Sequence, residues 1–136
     1  MGRRYAREST MKLLYQMEMN SDFSDEIVNI FFESNNFSIS EKEYVEDAIY
    51  TIISNLKEID QHIMENIEGW KLHRLARIDL CILRIAIYEI IYREDIPVEV
   101  SINEAIEVAK IYSTDESSKF INGVLGGFVR RRDKNE

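Results

Sequence analysis

Apolar residues recur along this chain at helical spacing, and one stretch is apolar on almost every side. In residues 3–19, RRYARESTMKLLYQMEM, a helical turn of about 100° per residue puts Ala6, Thr10, Leu13 and Met17 in one sector, the stripe of a core-facing helix. A short helix with Ile27, Ile30 and Phe31 follows, capped by Ser24 or Asp22 and broken at Asn35-Asn36. Ser40-Glu41-Lys42-Glu43 has the capping-box pattern and opens a third helix with Tyr44, Ala48, Ile52 and Leu56 on one side. Ile59, Ile63 and Ile67 carry the period to Gly69, with a break or bend expected near Ser54-Asn55.

The stretch Leu75–Tyr92, LARIDLCILRIAIYEIIY, is interrupted only by Arg77, Asp79, Arg84 and Glu89. A helix apolar all round is buried in a core or in a membrane. A membrane span needs roughly 20 mostly apolar residues with few or no charges. Four ionisable groups spaced through the run favour the core. Its β-branched content would also suit a buried strand, but strands usually run about 4–8 residues, so length selects a central helix. Pro97 ends this region, because the residue before a proline disfavours helix. Ser101-Ile102-Asn103-Glu104, a second capping box, opens a helix with Ala105, Ile106, Val108, Ala109 and Tyr112. Ser113 to Glu116 opens the last, where Phe120, Ile121, Val124, Leu125 and Phe128 repeat at helical spacing. Gly123 within it predicts close approach of another helix, and Gly126-Gly127 a weakened end. One proline and five glycines in 136 residues agree with long helices and short links.

Composition adds a charge pattern. The net charge of −8 argues against bulk nucleic-acid binding. However, Glu18 to Glu68 holds thirteen acids against Lys42 and Lys57, a local charge of −11, and the remainder is +3. Bases gather at the ends, in Arg3, Arg4, Arg7 and Lys12 and in Arg130, Arg131, Arg132 and Lys134. Such asymmetry points to an anionic partner at one surface or to solvated termini. On the first helix Arg3, Arg4 and Arg7 form an edge beside the core stripe, continued by Met11 and Tyr15. Arginines at a helix N-terminus oppose its dipole, so they do not serve helix stability. A basic edge carrying an aromatic ring suits phosphate contact and base stacking.

Other chemistry is sparse. The single Cys81 allows no internal disulfide and reads as a core thiol in a reducing compartment. His62 and His73 lack partners at metal-ligand spacing and read as surface or hinge residues. Trp70 reads as a packing anchor in the link before the central helix. Glu89 and Arg93, four apart, read as an ion pair along the helix. Tyr88 and Asn122 read as polar groups satisfied between helices. Gly123-Val124-Leu125-Gly126-Gly127 lacks the lysine of a phosphate loop, and no nucleophile–base pair stands out. The expectation is a non-enzymatic binding module without metal or cofactor. With no apolar segment near the N-terminus, it is expected in the cytoplasm.

The residues resemble the NusB family of bacterial transcription antitermination factors over almost the whole chain. The resemblance rests on Arg3-Arg4-x-Ala6-Arg7-Glu8 with Leu14-Tyr15, and more strongly on Leu83-Arg84-Ile85-Ala86-Ile87-Tyr88-Glu89 and Ile96-Pro97. Ile102-Asn103-Glu104-Ala105-Ile106-Glu107-x-Ala109-Lys110 and Lys119-Phe120-x-Asn122-Gly123-Val124-Leu125 complete it.

It implies an all-α fold of about seven helices in two small bundles within one domain, roughly residues 3–67 and 74–130. It implies binding to the boxA element of ribosomal leader transcripts. It further implies a heterodimer with the ribosomal small-subunit protein NusE, joined to other Nus factors and RNA polymerase, with no membrane partner. Arg3, Arg4, Arg7 and Tyr15 match the RNA-contacting start, Lys119 and Phe120 lie near the RNA site, and Glu116 is a position where charge influences affinity. Asp79 and Arg84 match the NusE-facing side. Phe120 suits either stacking or core packing, and the helix N-terminus after Ser113 is an additional phosphate site. A homodimer that hides the basic edge is the competing assembly. The alternatives are a protein-only adaptor for a basic partner and the RNA-binding accessory domain of a ribosomal-RNA cytosine methyltransferase.

Overall fold

The computed structural model describes residues 2–69 and 71–134, and among these it holds seven α-helices and no strand. They are α1 (Gly2–Asn20), α2 (Asp25–Ser34), α3 (Ile39–Ser54), α4 (Leu56–Met64), α5 (Arg77–Tyr92), α6 (Val98–Tyr112) and α7 (Asp115–Lys134), with a 3-10 turn at Leu72–Arg74. Trp70, expected to anchor the link before α5, lies outside the described residues.

Helix α5 is the centre. Asp79 through Ile90 are all buried, and α1, α3, α4, α6 and α7 pack around it. It begins two residues later than its apolar run, because Ala76 is extended and Leu75 is buried ahead of the first turn. The α1 stripe is as read: Ala6, Thr10, Leu13 and Met17 are fully buried, and the Thr10 hydroxyl donates to the Ala6 carbonyl at 2.8 Å. Ser21, at φ 51°, turns the chain out of α1. Asn55 separates α3 from α4 and donates its side-chain amide to Thr51 O at 2.8 Å, so the expected break is real.

Three further helix starts differ from expectation. The capping box of α3 is Ser38–Glu41, two residues before Ser40–Glu43: Glu41 N donates to Ser38 Oγ at 3.2 Å and Ser38 N to Glu41 Oε1 at 2.8 Å. Both serines satisfy the same pattern, and the earlier one gains part of a turn. Helix α6 starts at Val98 directly after Pro97, the N-cap, whose carbonyl accepts from Val100 N at 3.0 Å and Ser101 N at 3.2 Å. Ser101 and Glu104 are therefore inside the helix, bonded to residues of other helices. At α7 the cap is Thr114, whose Oγ1 accepts from Ser117 N at 2.9 Å, while Ser113 points elsewhere.

The glycines of α7 also correct the reading. Gly123 is exposed and a Cβ there would meet nothing within 4 Å, so no helix approaches it. Gly127 is the close approach, since a Cβ would lie 2.9 Å from Asn66 Oδ1. The helix continues through Gly126-Gly127 to Lys134.

Candidate nucleic-acid interface

The N-terminal turns of α1 lie against α3, the α5–α6 link and α6, around an open cleft of about 780 Å³ whose lining includes Arg3, Arg4, Arg7, Glu41, Asp95 and Glu104. The three arginines of the expected basic edge have three different environments. Arg3 is exposed, with its guanidinium 5.2 Å from the centre of the Tyr44 ring. Arg4, its side chain 42% exposed, is held by Glu104 through Nε at 2.6 Å and Nη2 at 2.8 Å. Arg7 is buried and donates to Glu89 at 2.6 and 3.1 Å, with its Nη1 3.5 Å from Glu104. Arg7 therefore does not present its guanidinium on the outer edge. Its sector on the helix and the family resemblance suggested that edge, and burial opposite Glu89 is a tertiary event.

Glu89 is the hub of that arrangement. It also accepts from the Tyr44 hydroxyl and from Ser101 Oγ at 2.7 Å, so α1, α3 and α6 are all tied to α5 through one carboxylate. Burial and the neighbouring Glu89 carboxylate push the Tyr44 phenol well above its ordinary range. The Glu89–Arg93 pair expected along the helix is absent. Arg93 instead donates to Asp95 at 2.8 and 2.9 Å and to the Tyr88 hydroxyl at 3.2 Å. The hydrogen bond from Arg93 holds the Asp95 carboxyl down at about 2. Tyr88 is satisfied between helices as expected, through Asp47, whereas Asn122 is exposed.

Farther along α1, Lys12 is exposed and lies 5.3 Å from the centre of the Tyr112 ring of α6. Lys12 belongs to the N-terminal group of bases read in the sequence but is not among the residues assigned there to RNA contact. Tyr15 is half-buried against the core, and Met11, expected on the edge, is buried. On the other flank of α6, Lys119 lines a cleft of about 520 Å³ with Ile106, Lys110, Asp115, Ser118 and Asn122. Phe120 is half-buried and packed against the core. The first turn of α7 carries Asp115 and the exposed Glu116, and Thr114 already occupies one of its N–H groups. That N-terminus is thus less open to phosphate than the sequence suggests.

Asp79 and Arg84 turn inward. Asp79 is 6% exposed and accepts from Ser113 Oγ and Ser117 Oγ, both at 2.8 Å, joining α5 to the start of α7. Arg84 is 3% exposed and bonds Asp60 twice at 2.9 Å and Glu18 at 2.8 Å, joining α5 to α4 and α1. Neither side chain reaches out to a partner, because each has carboxylate or hydroxyl groups of adjacent helices at hydrogen-bond distance. Cys81 is buried, and that burial pushes its thiol up to about 12. Among the described residues no three His, Cys, Asp or Glu side chains are grouped to hold a metal, and no helix is long and apolar enough to cross a membrane.

The fold and this edge define an all-helical domain whose solvent-facing cations sit over aromatic rings at the contacts of α1 with α3 and α6. The chain belongs to the NusB family, which matches residues 4–130. It is 47% identical to the transcription antitermination protein NusB of Acetivibrio thermocellus, over 96% of this chain and 90% of that protein. It is 46% identical to that of Clostridium novyi, over 96% and 99%. T. maritima NusB superposes with a TM-score of 0.86 at 39% identity, covering 94% of this chain and 90% of that one. A structure of antitermination factors NusB and NusE in complex with dsRNA shares the fold, with a TM-score of 0.86 at 22% identity over 96% and 97% of the two chains.

Proposed function

We propose that this chain is a transcription antitermination factor that binds boxA RNA of ribosomal leader transcripts together with NusE, within a Nus-factor complex on RNA polymerase. The observation that carries this reading is end-to-end similarity, in both directions, to relatives named transcription antitermination protein NusB. The complex of NusB with NusE and RNA, which has the same fold, supports the choice of partners. In this reading the protein recognises and positions; it catalyses nothing.

Arg3 and Arg4 meet phosphates, and Arg7 supports them from beneath. Tyr15 and Phe120 contribute aromatic surface, Lys119 adds a cation on the far flank of α6, and Glu116 moderates affinity there. Asp79 and Arg84 shape the NusE-facing side by holding α7, α4 and α1 to the central helix. With a net charge of −8, the protein is a weak RNA binder alone. NusE supplies further basic surface, and self-association would compete for the same edge.

The test is titration of a boxA RNA, alone and with NusE, at two salt concentrations. The expected result is weak binding alone, tighter binding with NusE, and salt sensitivity in both. Binding of NusE without any gain in RNA affinity would favour the protein-only adaptor.

A further inference from the structure

Resting on the RNA-binding reading, we propose that Glu104 of α6 sets the RNA affinity of this chain by occupying Arg4, a carboxylate brake built into the edge that meets the phosphates. Among the side chains lining the cleft, Arg3, Arg4 and Arg7 are balanced by Glu41, Asp95 and Glu104, and Glu89 lies buried behind them. Arg7 is matched by buried Glu89, and Arg4 is gripped on its Nε–Nη2 side by both oxygens of Glu104. Glu104 also reaches Arg7 Nη1 at 3.5 Å, so one carboxylate neutralises part of two guanidiniums. Asp95, itself paired with Arg93, and Glu41 supply the other carboxylates of the lining.

A bidentate carboxylate satisfies a guanidinium much as a phosphate does, with two parallel charge-assisted hydrogen bonds. A phosphate approaching Arg4 therefore competes with Glu104 for that fork or meets a guanidinium whose charge is already balanced. Glu104 is suited to this role because it is only partly shielded, its side chain 20% exposed, so RNA can reach the pair. Glu89, at 1%, is sealed in and does not compete. The hydrogen bond from Arg4, the largest cause, keeps the Glu104 carboxyl below its usual range, so the brake is charged at neutral pH. Its placement on α6 is a feature of the fold: Arg4 and Glu104 are 100 residues apart in the chain.

The experiment compares the full chain with its Glu104→Gln, Arg4→Ala and doubly substituted variants, titrating a boxA RNA with NusE between about 50 and 200 mM salt. Glu104→Gln frees one phosphate contact, so its log K against log salt slope is expected to steepen by about 0.7, the single-strand value per phosphate. The advantage over the parent then shrinks about 2.6-fold across that salt range. In the Arg4→Ala background the same change should produce no steepening. Unchanged or weaker binding by Glu104→Gln, or an equal gain without Arg4, overturns the proposal. The first result would mean that Glu104 positions Arg4 rather than restrains it.

A second readout does not depend on RNA recognition: the Arg4 Nε–H resonance during titration with inorganic pyrophosphate. It should respond at lower concentration in Glu104→Gln than in the parent, and an equal response overturns the proposal. Should no form bind RNA, the RNA-binding reading fails, and pyrophosphate still decides whether Glu104 restrains Arg4. Matched thermal melts confirm that the variants fold.

Discussion

At the scale of single residues, the buried charges are organised around three positions of α5, Asp79, Arg84 and Glu89. Glu89, 1% exposed, accepts from Arg7, Tyr44 and Ser101. Removing one member of a buried pair leaves the other charged and unpartnered, which costs about 3–5 kcal/mol. Glu89→Ala is therefore expected to lower stability by that amount in urea unfolding, and a loss under about 1 kcal/mol would sink the hub assignment. A second prediction concerns acid. The Asp95 carboxyl is depressed from 3.8 to about 2, first through its hydrogen bond from Arg93. Its folded pKa lies below its unfolded one, so its contribution is complete above about 4 and is lost as pH falls toward 2. Asp95→Asn should reduce stability at neutral pH but flatten its decline over that window, measured by thermal melts at stepped pH.

At the scale of elements, helix α7 shows how one helix can hold glycines with opposite requirements. Gly123 faces open space, so alanine there should gain helix propensity of about 1 kcal/mol. At Gly127 a Cβ would press on Asn66 Oδ1, which accepts from Arg131 Nε at 3.0 Å while its amide donates to His62 O at 2.9 Å. Gly127→Ala should give no gain or a loss, and equal melting-point increases for both would contradict this packing. The first turn of the same helix carries Glu116. Its charge suits the helix dipole, a favourable effect of about 0.3–1 kcal/mol, yet repels a phosphate at Lys119. Glu116→Gln is expected to destabilise slightly and to tighten boxA RNA binding; weaker or unchanged binding would remove Glu116 from the interface.

For the whole molecule, the buried apolar residues form one continuous cluster, from Ala6 and Leu13 in α1 through Leu83 in α5 to Leu125 in α7. Arg84 reinforces it by linking α5 to both α1 and α4. Unfolding is therefore expected to be a single cooperative transition, with Leu13→Ala and Leu125→Ala each costing about 2–5 kcal/mol of stability and shifting the same transition. Two separable transitions would show that the halves fold independently. The charge distribution acts at this scale too. The acids of α2 to α4 make that half negative, so on the proposed reading RNA approaches from the α1–α6 side.

The helices and their inward faces were legible in the sequence because helical periodicity is local: the α1 stripe, the Asn55 break and the buried run of α5 depend only on residues a turn or two apart. The family was legible too, in the motifs around Leu83–Glu89 and Ile102–Lys110. Helix starts are ambiguous in the sequence where two S-x-x-E patterns overlap, as at Ser38 and Ser40, or where a serine at a cap-like position serves another helix, as Ser101 serves Glu89 and Ser113 serves Asp79. The roles of the charges belonged to tertiary structure alone. A count of arginines cannot distinguish exposed Arg3 from buried Arg7, or show that Arg4 meets a carboxylate 100 residues away. An ion pair is decided by which helices come together, and that is settled only when the core closes.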